Sequence, residues 1–258
     1  MKKNIKKMLF PLYFYLVPQK NASYAYKCKR ILTNVTFSFK KLFNNSYHLS
    51  SSEISQRNRG DAKIELNENV IPEQFEILER YQDFITDTVL NKDTSKSILD
   101  VGSRDGSLLE NLKNFGYTDV TGFEIVSDWV KYCHKKGMSY IHEVNLLELD
   151  TLNHKKYDLV FSRHTLEHVD RTELFFDKLV DLIQTNGKLF IVFPLNKKAN
   201  FKHPSYLPSI EHIRNAFDFS RLSNVRLERL DAFSIKSNWI NLTDSRETDE
   251  IIITATKL

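Results

Sequence analysis

Cysteine is scarce in this chain, and the scarcity is informative. The two present, Cys28 and Cys133, stand far apart with no C-x-x-C spacing, so neither a disulfide framework nor a cysteine zinc site is indicated. A reducing compartment, the cytoplasm, fits that usage. Long apolar runs are missing too. The longest, MLFPLYFYLVP at 8–18, contains a proline and falls well short of the ~20 residues that a membrane-crossing helix needs. No internal repeat is visible. Acidic residues are nearly missing from the first 60 positions, where 12 Lys/Arg face the single acid Glu53. The net charge of +4 therefore conceals a basic amino-terminal part and an acidic remainder, which face different partners.

What is present divides at that change of sign. LSSSEISQRNRGDAK at 49–63 is polar and reads as a linker. It separates a basic, aromatic-rich extension (1–60) from a main domain (61–258). The extension opens on MKKNIKK before its apolar run, as a secretory signal does, but Ser23-Tyr24-Ala25 makes a poor cleavage site. Two other roles suit it. It could rest on an anionic surface, either RNA or the inner face of a membrane, or it could pack on the main domain as a lid.

In the main domain, residues 72–90 show helical spacing of Phe75, Leu78, Tyr81, Phe84, Ile85 and Val89. Apolar strands and helices then alternate. Strands are expected at 97–102, 119–126, 140–146, 157–162 and 188–194, with helices at 107–116, 127–137 (Ser127 as cap) and 171–187 (Gly187 as stop). A short helix near 209–219 and two strands, 225–233 and 250–258, close the chain. Alternation of this kind predicts an α/β fold, Rossmann-like and doubly wound on a mostly parallel sheet.

In such sheets ligands bind beyond the carboxyl ends of the strands. The turn there is DVGSRDGS, 100–107. Gly102 and Gly106 would let backbone approach a ligand, and the helix that follows offers free N–H groups. A dinucleotide fingerprint wants glycine at 104 and 107 as well, where this chain has Arg104 and Ser107. That weakens a pyrophosphate reading. Glu124 ends the second strand, where a carboxylate can accept both hydroxyls of a ribose.

The ordered series ILDVGSRDG, GFEIV, NLLELD, YDLVFSRHTLEHV and GKLFIVFP resembles the successive motifs of the class I S-adenosylmethionine (SAM)-dependent methyltransferases, over roughly 95–258. The resemblance implies a seven-stranded sheet ending in an antiparallel hairpin, with SAM as cofactor. It implies that Asp100 and the backbone of Gly102, Ser103, Arg104 and Gly106 hold the methionine end. Glu124 would hold the ribose, Ile125 a face of the adenine, Asn145 and Leu146 its edge, and Ser162 would also line the cofactor site. Arg104 departs from the family, which more often has glycine there. That leaves the local backbone path open, and Arg104 could meet the cofactor carboxylate or the substrate.

The acceptor should lie beside FSRHTLEHV (161–169), where His164, Glu167 and His168 fall at i, i+3 and i+4. Three readings stay open. The stretch could be a plain helix start, a metal-free base that positions the acceptor, or a divalent metal site completed by His203. The last follows from a likeness to ubiquinone-pathway O-methyltransferases and small-RNA 2′-O-methyltransferases, which carry E-x-x-E-H. The expected activity is methyl transfer, on oxygen, to a small-molecule or glycan-precursor acceptor. The alternatives are a metal-assisted RNA 2′-O-methyltransferase and a non-catalytic or membrane-associated scaffold.

Overall fold

The structure is a computed structural model that describes residues 85–86, 90–195, 207, 209–230 and 250–258. The amino-terminal extension, the linker, most of the 72–90 helix, His203 and residues 231–233 lie outside the described residues. Within them the expected alternation is realised as β1 (Ile98–Val101), α1 (Ser107–Phe115), β2 (Val120–Glu124), α2 (Ser127–Lys135), β3 (Ile141–Glu143) and β4 (Tyr157–Arg163). A 3₁₀ turn (Leu166–His168), α3 (Thr172–Asp181), β5 (Ile183–Pro194), α4 (Ile210–Ala216), β6 (Leu222–Leu230) and β7 (Glu250–Lys257) follow.

The strands form one seven-stranded sheet in the order β3-β2-β1-β4-β5-β7-β6. β1 to β5 are parallel, and β7 runs antiparallel to both of its neighbours. The chain winds outward from β1 through β2 to β3, then returns to place β4 on the other side of β1. The switch point lies between β1 and β4, and their carboxyl ends open the crevice there.

Alternating side chains explain why the strands are apolar throughout. Leu99 and Val101 pack on one face with Phe176, Leu179 and Val180 of α3, whereas Ile98 packs on the other with Leu108, Leu109 and Leu112 of α1. A strand covered on both sides buries every residue. Burial of one such leucine stabilises the fold by about 1.5–3 kcal/mol, so α1, with three, is held mainly by packing.

Four boundaries differ from the sequence reading. Ser127 does not cap α2; the cap position is Val126, and no side chain closes it. β3 is shorter than expected because Asn145 Oδ1 accepts from the N–H of Leu147 at 3.2 Å, and this Asx turn curls the chain out of the sheet. α3 stops at Asp181, well before Gly187. Ile183 already pairs with Tyr157, and the next pair is Lys188 with Leu159, so Gln184–Gly187 forms a bulge rather than a helix end. Gly187 is needed within it, since a Cβ there would come within 2.7 Å of Ile183 Cγ2. β6 begins at Leu222, ahead of the expected 225.

Candidate active site

The turn after β1 is shaped by backbone rather than by large side chains. The N–H groups of Gly102 and Ser103 both donate to the carbonyl of Phe123, at 2.8 and 3.1 Å, which folds the chain sharply over the end of β2. Gly102 has φ of 84°, and a Cβ on it would lie 2.0 Å from Thr165 Oγ1. No other residue fits there. Arg104 also has a left-handed φ, 49°. It therefore follows a path that glycine favours, which resolves the local course that the sequence left open.

That path points the N–H of Arg104 at Glu124. Oε2 of Glu124 accepts it at 2.9 Å, and Oε1 accepts from the N–H of Val126 at 2.7 Å. A carboxylate has about four acceptor sites, so lone pairs remain for further donors. Burial raises the Glu124 carboxyl above its ordinary range, and backbone N–H donors, those of Val126 and Arg104 first, partly offset that. Asp100 is more strongly perturbed. Burial, the charge of Glu124 and that of Asp105 push it up to about 8, with Arg163 opposing. A cation brought beside it would favour its charged form.

These groups share a cleft of about 320 Å³, within the range of small-ligand sites. Asp100, Gly102, Ser103, Arg104, Glu124, Ile125, Asn145 and Leu146 all line it, so most of the expected cofactor residues converge. Gly106 stands just behind, as the left-handed cap of α1, where a Cβ would be 2.7 Å from Met138 Sδ. Ser103 Oγ is buried with no hydrogen-bond partner and stands 2.8 Å from where a Cβ on Gly122 would lie. Ser162 stands apart from the others. It is not among the lining residues; its hydroxyl donates to the carbonyl of Val101 at 2.9 Å, so it serves the β1–β4 seam.

Trp129 is a lining residue that the sequence reading missed. Buried in the first turn of α2, it lies under the Arg104 guanidinium, 5.4 Å from ring centroid to Cζ, a cation–π arrangement. Its position five residues beyond Glu124 was the available signal. Cys133 is not a nucleophile for this cleft, because burial pushes its thiol up to about 12.

The other end of the cleft is lined by Arg163, His164, Thr165, His168, Val169 and Phe175. His164 is not on a helix face. It is a left-handed residue, φ 53°, at the end of β4, with its N–H donated to Val192 at 2.8 Å. The sharp turn, followed by the 3₁₀ turn rather than an α-helix, brings the three expected side chains together. Nδ1 of His164 lies 3.5 Å from Oε1 of Glu167, and Nε2 of His168 lies 3.9 Å from the same oxygen. A fourth member comes from far away in sequence, for Nε2 of His164 contacts Oε1 of Glu250, the first residue of β7. Nothing near Glu250 in the sequence marked it. Among the described residues no group of three or more His, Cys, Asp or Glu is placed to hold a metal ion, and His203 lies outside them.

Comparison with known proteins gives this geometry a family. A family model described as a methyltransferase domain matches residues 73–243. No curated protein matches the chain. Among solved structures, magnesium protoporphyrin IX methyltransferase from Synechocystis PCC 6803 with bound SAM is similar at a TM-score of 0.56 and 17% identity, covering 83% of this chain and 100% of that one. The N-methyltransferase NodS from Bradyrhizobium japonicum, with S-adenosylhomocysteine (SAH), is similar at 0.56 and 14%, covering 78% and 98%. The [4+2]-cyclase SpnF is similar at 0.54 and 12%, covering 69% and 80%. Such low identities establish the fold alone, and the cyclase shows that the fold also hosts other chemistry. The buried acid at the end of β2, the glycine cradle after β1 and the volume of the cleft fit an adenosyl cofactor. With the family model spanning most of the chain, this protein belongs to the class I SAM-dependent methyltransferases, enzymes whose methyl donor is SAM.

Proposed function

We propose that this enzyme methylates an oxygen of a small-molecule or sugar-containing acceptor, bound at the His164 end of the cleft. The observation that carries the reading is the presence, in one cleft, of two buried acids at one end and two imidazoles at the other. SAM supplies an electrophilic sulfonium methyl group. Glu124 would accept hydrogen bonds from the ribose hydroxyls, Ile125 would cover a face of the adenine with Asn145 and Leu146 at its edge, and Asp100 would face the methionine end. The turn backbone of Gly102, Ser103, Arg104 and Gly106 brings the chain close enough to hold that end.

Alignment of acceptor and methyl group is much of the catalysis in an in-line displacement. An alcohol must also shed its proton, and imidazole is the side chain best suited to take it near neutral pH. His164 and His168 are the proton acceptors in this reading, and Oε1 of Glu167 lies 3.5 and 3.9 Å from the two rings. The catalytic domain comprises residues 61–258. The basic residues 1–60 form a separate extension suited to docking on an anionic surface. Among the described residues no helix is long and apolar enough to cross a membrane.

The test is incubation with methyl-labelled SAM and fractionated host extract, with and without chelator. Label in a small-molecule fraction, unaffected by chelation, is expected. Label in RNA, dependence on metal, or no transfer at all would each overturn the acceptor assignment. Deleting residues 1–60 should leave SAH binding intact.

A further inference from the structure

Among the described residues β7 is the one strand that enters the sheet from the ligand side. The parallel strands β1 to β5 end at the cleft, so only an antiparallel neighbour can place its first residue there. That residue is Glu250, opposite Pro194 at the end of β5. Its carboxyl group is buried, with 4% of the residue exposed, and it reaches across the end of β5 to His164, just past the end of β4. Burying a carboxylate is costly unless it is hydrogen-bonded, so the contact is a built feature rather than a surface pair.

The contact constrains the imidazole. A carboxylate can only accept, so the ring nitrogen that faces it carries the hydrogen. Nε2 of His164 is in direct contact with Glu250, whereas Oε1 of Glu167 stands 3.5 Å from Nδ1, beyond the usual reach of about 2.7–3.2 Å for an N–H···O bond, so the hydrogen belongs on Nε2 and Nδ1 is the basic nitrogen. The ring is 32% exposed as a side chain and lines the cleft. Its backbone is fixed as well, by the left-handed φ and by the N–H bond to Val192. Among the described residues the charged or titratable groups about the ring are Glu250 from β7, Glu167 and His168 from the 3₁₀ turn, and Arg163 beside it in the chain.

We propose that Glu250 is a positioning residue for methyl transfer: it holds His164 in the Nε2–H form and so directs Nδ1 to the acceptor hydroxyl. This rests on the reading of the acceptor end given above. In the step it serves, an oxygen lone pair forms the new C–O bond to the methyl carbon. The C–S bond breaks with its electrons going to sulfur, giving SAH, and the hydroxyl proton passes to Nδ1. Glu250 keeps its own hydrogen bond throughout and faces the imidazolium that results.

The test uses full-length ¹⁵N-labelled protein with SAH bound. Imidazole nitrogen–proton correlation spectra at about pH 8, where imidazole is mostly neutral, report the tautomer, and the His164 signals are those lost in His164→Gln. The wild type should show the Nε2–H form. Glu250→Met, which keeps the side-chain length but offers only a weak sulfur acceptor, should give a tautomer mixture, whereas Glu250→Gln, which keeps an oxygen, should retain Nε2–H. SAH affinity should stay within about twofold while initial transfer into the label-accepting fraction falls about tenfold or more in Glu250→Met. A wild-type His164 protonated mainly on Nδ1 overturns the proposal even if no variant folds, and so does a Glu250→Met protein with an unchanged tautomer or rate. If His164→Gln transfers methyl as well as wild type, the acceptor-end reading fails instead, and the spectra still decide whether Glu250 sets the ring.

Discussion

The two ends of the cleft are built by different means. The cofactor end comes from neighbours in sequence: β1, its turn, α1 and the end of β2 contribute Asp100, Gly102, Ser103, Arg104 and Glu124. It is held by the backbone N–H groups of Gly102 and Ser103, which donate to the carbonyl of Phe123, and by that of Arg104, which donates to the Glu124 carboxylate. The acceptor end is assembled across the sheet, from β4, the 3₁₀ turn and the start of β7. Its central contact joins His164 to a residue 86 positions away. A site made of consecutive segments keeps its pattern in the sequence, whereas one made by strand order leaves none.

The tightest point in the cofactor end gives the largest expected effect. Gly102→Ala should cost about 3 kcal/mol, combining left-handed strain with overpacking against Thr165, and should abolish SAH binding. Chemical denaturation and calorimetry would measure both. Adding Thr165→Ala should recover part of the loss, because the sites touch and their effects are not additive. Full additivity would mean that the strain is elsewhere.

At the acceptor end the expected signature is opposite. His164→Gln should lower methyl transfer about a hundredfold while leaving SAH affinity unchanged. A loss of SAH affinity of similar size would show that the two ends are not separable. Labelled transfer and calorimetry on the same preparation distinguish these outcomes.

A smaller effect concerns Asp100. Its folded value of about 8 lies above the ordinary 3.8, so between these values the folded protein keeps a proton that the unfolded chain has released. Stability of the ligand-free protein therefore falls as pH rises across that window. Asp100→Asn removes this dependence. Its melting temperature should exceed that of the wild type by a margin that widens from about pH 5 to about pH 8, while its SAH affinity drops. A margin independent of pH would place the Asp100 carboxyl in water.

The same division governs how much could be read in advance. The doubly wound sheet was legible because two-sided burial makes its strands apolar runs, and Gly102, Glu124 and Asn145 were legible because their spacing follows the turns. Gly187 misled. Asn-Gly after a helical pattern resembles a helix stop, but the pairing of Ile183 with Tyr157 took the chain into the sheet first. The place of Ser162 beside the motif gives no hint that its hydroxyl closes on Val101. His164, Glu167 and His168 were found by spacing, although a left-handed turn rather than a helix gathers them. Glu250 and Trp129 were missed, the first because only the antiparallel course of β7 brings it there.

The central claim is that this cleft takes an adenosyl cofactor with its ribose on Glu124. Calorimetric titration of SAH into wild type and Glu124→Gln tests it most directly. The account predicts saturable binding to the wild type and affinity about tenfold weaker or worse in the variant, from the loss of charged hydrogen bonds. Equal affinities, or no binding to either protein, would contradict it.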